Sequence, residues 1–158
     1  MDNNQLYKQA LSHAQLICSK KEMYIKGLKE KLKRFELNDS DLEELIEALK
    51  TEKFIDENRY AIAFARDKHR FNKWGRRKIE FELRIKQIPQ DIISKSTQHI
   101  DTDLYTQNLI ELLEKKHRSI RDTDTYKVKH KLISFATNKG YLIDEIEPVI
   151  HHLLAKDS

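Results

Sequence analysis

Residues 66 to 86 read RDKHRFNKWGRRKIEFELRIK and carry nine Lys or Arg side chains against three acidic ones. Arg66, Lys68 and Arg70 come first. Lys73, Arg76, Arg77 and Lys78 surround the pair Trp74-Gly75, and Arg84 and Lys86 follow. Forked guanidiniums and mobile ammoniums at this density suit phosphate oxygens, or equally an acidic protein groove. Ile79 and Leu83, four apart, would anchor one helix to a core and leave the cations of that helix and its leading turn on the exposed side. The chain has one tryptophan and three glycines, so a Trp-Gly pair inside a basic stretch calls for a reason. The expectation is that Gly75 supplies a backbone bend just before the helix, while Trp74 packs across the helix–helix corner. The basic helix would then be presented on one face. Core packing alone would also account for Trp74.

No catalytic constellation accompanies these cations. The seven histidines, His13, His69, His99, His117, His130, His151 and His152, form no metal-ligand pattern, and HExxH is absent. His151 and His152 are adjacent, so on a helix they point about 100° apart. Cys18 follows Leu11, Ala14, Leu16 and Ile17 on an apolar stripe and is expected to be a small core residue. Gly-rich phosphate loops are absent. Carboxylate pairs such as Glu43-Glu44 lie on polar faces. Neither an enzyme, nor a metal, nor a cofactor is expected.

The chain has 158 residues, a charged fraction of 35%, a hydrophobic fraction of 39% and a net charge of +4. Two prolines and three glycines leave little material for hairpins. A single cysteine precludes an internal disulfide. No apolar run is long enough for a membrane span or resembles a signal peptide, which predicts a soluble, cytoplasmic protein without a membrane partner. The charge is distributed in blocks. Lys20 to Arg34 has seven basic and two acidic residues, Glu36 to Glu57 nine acidic and two basic, and Lys115 to Lys131 seven basic and two acidic. Such blocks can give one positive and one negative surface.

Helical spacing dominates. Ile25, Leu28, Leu32 and Phe35 step by three and four, as do Leu42, Leu45, Ile46 and Leu49, and later Ile146, Val149, Ile150 and Leu153. Ser40 with Glu43 fits a capping box, Asp56 an N-cap for the helix through Tyr60, and Gly140 a left-handed C-cap. Pro89 and Pro148 are expected in first helical turns. Eight or nine short helices result, most of 10 to 18 residues.

The helices fall into repeats. Aligning Leu32, Leu83 and Ala136 superposes LKRFEL, LRIKQI and ATNKGY, at spacings of 51 and then 53 residues. In each, an apolar anchor precedes a polar turn and a second apolar residue (Leu37, Ile88, Tyr141). The expected fold is all-α: three tandem three-helix repeats forming an elongated, curved helical array, since so short a unit buries little core alone. The expected divisions are 1–53 for N-terminal helices and the first repeat, 54–100 for the basic middle repeat and 101–158 for the third.

The stretch FIDENRYAIAFARDKHRFNKWGRRKIEFELRIKQI, Phe54 to Ile88, resembles the middle repeat of the RecX family, bacterial regulators of the recombinase RecA. Asp56, Arg59, Tyr60, Ala61, Trp74, Gly75, Ile79, Glu82, Leu83, Lys86 and Ile88 match the family's ordered pattern. NKGYLIDEIEPVI, with Gly140 and Tyr141 in its turn, is similar to the third repeat. The resemblance spans roughly residues 20 to 153. In two places it departs. Gln87 stands where the family usually has glycine, and Lys33-Arg34-Phe35-Glu36 lacks the Lys-Gly turn, so these turns are expected to cap differently.

The resemblance implies binding in the groove of the RecA–DNA filament and modulation, usually inhibition, of strand exchange and ATP hydrolysis. A monomer acting in DNA recombination and repair is expected, with the RecA filament as partner. Contact with single- or double-stranded DNA is expected to be weak or indirect. Arg66, Lys68, Arg70, Lys73, Arg76, Arg77, Lys78, Arg84 and Lys86 are the expected contact residues. Asp56, Tyr60, Trp74, Gly75, Leu83 and Gly140 are expected to shape the repeat. The alternative is a general helical nucleic-acid-binding protein or transcription regulator, which would require a recognition helix carrying base-reading side chains.

Overall fold

The computed structural model describes residues 2–156. Among them are nine α-helices, one 3-10 turn at Lys33–Phe35 and no strand. The helices are α1 (Asn3–Lys20), α2 (Ile25–Lys31), α3 (Asp39–Thr51), α4 (Glu57–Asn72), α5 (Arg76–Ile85), α6 (Gln90–Thr97), α7 (Thr102–Ser119), α8 (Thr125–Asn138) and α9 (Ile143–Ala155). They pack in groups: α1 with α3 and with the 3-10 turn, which α2 also contacts, α4 with α5 and α6, and α7 with α8 and α9. The all-helical repeat fold expected from the sequence is the fold observed. No helix among the described residues is long and apolar enough to cross a membrane.

Side-chain caps fix where several helices begin. Asp56 accepts from the Arg59 N–H at 3.1 Å, Asp101 from Leu104 at 2.8 Å and Asp124 from Tyr126 at 2.9 Å. At α3 the sequence expectation is displaced by two residues. Asn38, not Ser40, is the N-cap, accepting from the Asp41 N–H at 2.8 Å. Asn38 holds extended backbone there, so the helix begins before a Ser40 cap could act. Pro89 stands one residue outside α6 as its N-cap. Pro148 lies a turn deeper than expected, as the sixth residue of α9.

The three turns of the repeat share one backbone conformation. The residue four beyond each anchor is left-handed: Glu36 at φ 53°, Gln87 at φ 61° and Gly140 at φ 101°. Each donates its N–H to the carbonyl three residues back, at 3.0, 2.9 and 3.0 Å. In the second and third units the next residue bonds the anchor carbonyl, Ile88 to Leu83 and Tyr141 to Ala136, both at 3.1 Å. This is the two-bond closure that ends a helix on a left-handed residue. The expectation that the middle turn caps differently is therefore corrected, since Gln87 adopts the glycine-type conformation itself, whereas the first turn does close differently, through the 3-10 turn Lys33–Phe35 that ends on left-handed Glu36. The anchors Leu32, Leu83 and Ala136 are all buried.

Burial divides into two cores. The first gathers Ala10, Ala14, Met23, Leu28, Leu45 and Leu49 with their neighbours from α1 to α3. The second is continuous through α4 to α9, from Ala61 and Leu83 to Tyr141 and Ile150. Middle and third units thus share one interior. The N-terminal unit meets them through polar links and one aromatic plug. The Ile25 N–H donates to Glu57 at 3.0 Å, Lys26 to the Ile85 carbonyl at 3.1 Å, and Arg59 pairs with Glu22. The Tyr24 ring lies 5.0 Å from Tyr60.

A left-handed conformation costs an ordinary L-residue about 1–2 kcal/mol, partly offset for glycine by its freer unfolded chain. Gln87→Gly is therefore expected to stabilise the protein by about 0.5–1 kcal/mol, read as a higher denaturant midpoint. An unchanged or lower midpoint would show that Gln87 carries no strain.

Candidate functional site

The α4–α5 corner is where the basic stretch folds back, and it is also the joint between the middle and third units. The left-handed residue that reverses the chain is Lys73, at φ 56°. Its N–H bonds the His69 carbonyl at 2.9 Å, and the Trp74 N–H bonds Lys68 at 3.2 Å. Gly75 itself is extended, at φ −77° and ψ 167°. The expectation that glycine provides the bend is corrected: Lys73 bends the chain, and Gly75 permits an approach.

That approach is to Gly140. The Gly75 N–H donates to the Lys139 carbonyl at 2.7 Å, and the Arg77 N–H to the Gly140 carbonyl at 3.0 Å. A Cβ on Gly75 would lie 2.4 Å from the carbonyl carbon and oxygen of Gly140. One on Gly140 would lie 2.5 Å from Lys78 Cβ and 2.6 Å from its backbone nitrogen. Two backbones touch here, and neither can retreat without breaking a hydrogen bond.

Side chains of the third unit then tie down the corner. The Tyr141 hydroxyl donates to the Lys73 carbonyl at 2.8 Å. His69, buried, contacts the Trp74 carbonyl through Nδ1 at 2.9 Å and the Asn108 amide nitrogen through Nε2 at 3.0 Å. A carbonyl only accepts, so Nδ1 carries the proton and Nε2 accepts from Asn108. The ring stacks on Tyr105 at 4.9 Å. The Tyr105 hydroxyl accepts from the Arg76 N–H at 3.1 Å and donates to Glu145 at 3.2 Å. Glu145 also accepts from the Leu142 N–H at 2.9 Å and pairs with the Arg76 guanidinium at 3.4 Å. No buried side-chain polar atom among the described residues lacks a partner. Burial raises the phenols of Tyr105 and Tyr141, and that of Tyr60 to about 12.

The nine basic residues singled out from the sequence fall into three groups. Arg76 and Lys73 belong to the joint: Arg76 lies over Tyr105 at 4.1 Å, and Lys73 pairs with Glu111 at 3.2 Å. Arg66, Arg70, Arg77 and Arg84 are exposed, Arg84 being held by Glu80 at 3.6 Å and Gln90 at 3.1 Å. Lys68, Lys78 and Lys86 are half-buried with their ammoniums over aromatic rings. Lys68 lies 5.1 Å from Trp74, Lys78 4.7 Å from Trp74 and Lys86 4.8 Å from Tyr24. The expectation that Arg76 and Lys78 point freely to solvent is not met, because a carboxylate claims one and an aromatic face the other.

Among the shape-forming residues, Asp56 caps α4, Tyr60 and Trp74 flank Phe64 at 5.9 and 6.5 Å, and Leu83 is wholly buried. Sequence reasoning passed over His69, Asn108 and Glu145. His69 stands four before Lys73 and Glu145 three beyond Leu142, which are capping distances, but nothing local marks their partners across the joint. Cys18 packs half-buried against the N-terminal core, and burial pushes its thiol up.

Helical threes in tandem, closing on a common left-handed turn, define a helical-repeat protein. Residues 56–96 match the second three-helix domain of RecX and residues 103–150 the third. A regulatory protein RecX of Clostridium acetobutylicum is 32% identical over 161 residues, covering 99% of this chain and 73% of that protein. One from Clostridium beijerinckii is 32% identical over 134 residues, covering 84% of this chain and 62% of that protein. The chain thus spans less than two thirds of the latter relative. The crystal structure of RecX from Lactobacillus salivarius superposes with a TM-score of 0.87 at 19% identity, covering 95% of this chain and 97% of that one. The chain belongs to the RecX family.

Two measurements probe the joint. Gly140→Ala combines a forbidden φ with a backbone collision and is expected to cost about 3 kcal/mol. Gly27→Ala, whose Cβ meets only the movable Tyr24 ring at 2.7 Å, is expected to cost less, about 1 kcal/mol. Equal losses in chemical denaturation would contradict the rigid contact. The raised phenols predict an alkaline limit. Neutral Tyr60, Tyr105 and Tyr141 are favoured in the folded state, so their contribution is intact below the ordinary tyrosine value of about 10 and is lost as pH climbs beyond it. For Tyr60 the loss extends to about 12. The denaturation midpoint should hold to pH about 9.5 and then fall, less steeply in Tyr60→Phe.

Proposed function

We propose that the chain is a non-enzymatic regulator that binds the RecA–DNA filament and restrains ATP hydrolysis and strand exchange in recombination and repair. The observation that carries this reading is family membership through both three-helix domains. Proteins named regulatory protein RecX match the chain over most of its length, and the exposed arginines lie within the residues that match the second three-helix domain. A regulator of this kind needs a stiff scaffold that presents cations to a polyanionic or carboxylate-rich groove, and the shared core of α4 to α9 is such a scaffold. A base-reading helix is poorly supported, because α5 exposes Arg77, Phe81, Arg84 and Ile85, which offer little donor–acceptor variety.

The working face is assigned to Arg66, Arg70 and Arg77, which are exposed and lack a carboxylate partner among the described residues. Changing all three to Ala should leave the fold intact. The concentration that half-restrains ATP hydrolysis by RecA on single-stranded DNA should rise at least about tenfold, at a few tenths to one kcal/mol or more per lost contact. Where the contacts are phosphates, each loss should lower the salt slope by roughly 0.7–0.9. Glu43→Ala with Glu44→Ala, on the acidic block, should leave regulation nearly unchanged. A triple variant acting at wild-type concentrations would overturn the assignment.

A further inference from the structure

The two joints between units occupy equivalent places in the repeat and are built differently. The offset of 51 residues that aligns Leu32 with Leu83 sets Tyr24 opposite Gly75, and Ile25 opposite Arg76. Ile25 and Arg76 each open a helix. Gln87 and Gly140 are the matching left-handed turn residues. Tyr60 and Tyr105 also match, each the fourth residue of a helix capped by an Asp. The joint of the middle and third units closes by two backbone hydrogen bonds, Gly75 to Lys139 and Arg77 to Gly140, and by the Tyr105 hydroxyl on the Arg76 N–H. Across the N-terminal joint no backbone–backbone hydrogen bond forms among the described residues. There the Ile25 N–H meets the Glu57 carboxylate at 3.0 Å in place of a tyrosine hydroxyl.

The side chain at position 24 is the cause. A Cβ on Gly75 would lie 2.4 Å from the Gly140 carbonyl, so a tyrosine in the equivalent place keeps the two backbones apart. Its ring lies against Gly27, 5.0 Å from Tyr60 and beneath the Lys86 ammonium at 4.8 Å. Space remains between the units. A cavity of about 320 Å³ separates Ile25, Lys26 and Lys29 from the Gln87 turn, and another of about 430 Å³ lies between Lys53 and Ile55 on one side and Pro89 and Ile92 on the other.

Little else fixes the angle between the units. Among the described residues, Tyr24 is the one apolar group of α1–α3 that packs against the core of α4–α9. The other ties end in long side chains that can follow a moving partner: Lys26 on the Ile85 carbonyl, and Arg59 with a partly exposed Glu22. Such a pair contributes little rigidity in water. A single run of chain crosses the joint. Ile55 is buried in the N-terminal core, and the next residue, Asp56, caps α4.

We propose that the N-terminal joint is a hinge, at which α1–α3 turn as one body against α4–α9 about the Ile55–Asp56 link, with the Tyr24 ring as the bearing. Units joined by so small and polar an interface move relative to each other, and a few residues at element ends absorb the change. The movement alters the distance between the basic block Lys20 to Arg34 and the exposed arginines of α4 and α5, while each body keeps its own core. The hinge stands independently of the filament reading. Only its use, in fitting two cationic blocks to one long partner, rests on that reading.

The test places spin labels in the full chain, with Cys18→Ser so that only introduced cysteines react, and reads distance distributions by pulsed electron paramagnetic resonance. Lys8→Cys with Lys129→Cys, both exposed, spans the joint, and Asp67→Cys with Lys129→Cys lies within the block. The distribution across the joint should be at least about twofold broader than that within the block. Lys26→Ala with Arg59→Ala, which removes two ties, should broaden the first further and leave the second unchanged. The second pair also reports that the variant stays folded. Equal widths for the two pairs, with and without these two changes, would overturn the proposal. A narrow distribution across the joint in a chain that restrains RecA ATP hydrolysis would remove the hinge and keep the filament reading. A broad one in a chain without effect on RecA would keep the hinge and remove that reading.

Discussion

The contact of Gly75 with Gly140 is the constraint around which the middle and third units are organised. At 2.4 Å from a would-be Cβ to the opposing carbonyl, there is no room for any side chain. The two hydrogen bonds that flank the contact hold the end of α8 against the start of α5. Everything else at the joint follows from that proximity. Tyr141 can reach the Lys73 carbonyl, Tyr105 can reach Arg76, and Glu145 can gather Arg76, Tyr105 and its own helix N-terminus. The network is closed, because each buried donor meets an acceptor, and removing one member would strand the rest in an environment that penalises unpaired polar groups.

The same geometry sorts the cations. Proximity to Glu145 and Glu111 draws Arg76 and Lys73 into the scaffold. Proximity to rings fixes three lysines in place without neutralising them. Arg66, Arg70 and Arg77 are left exposed and without a carboxylate partner among the described residues. A run of nine like charges is thus divided by its neighbours into structural, poised and free members. Net charge alone says nothing of that division.

Much of the architecture was legible in the sequence because it is written at local spacing. The anchors Leu32, Leu83 and Ala136 repeat at near-equal intervals, and the Asp56 cap and the Gly140 turn use residues whose side chains or lack of one act within four positions. The departures share a cause. Gln87 and Glu36 follow the glycine turn because hydrogen bonds and flanking burial impose it against intrinsic preference. Gly75 serves a partner 65 residues away, so its meaning is invisible until α8 is in place. His69, Asn108 and Glu145 are likewise ordinary surface types in sequence and become buried or shared only through the joint.

The separation of the two cores has a consequence for motion. Cooperative opening follows the boundaries of buried interiors, since residues that share a core lose their burial together. Helices α4 to α9 should therefore exchange their amide hydrogens as one slow block. Helices α1 to α3, joined to that block by Arg59, Glu57, Lys26 and the Tyr24 plug, can loosen alone. A protein built this way opens in stages: its N-terminal unit can come apart while the block that shares one interior stays closed.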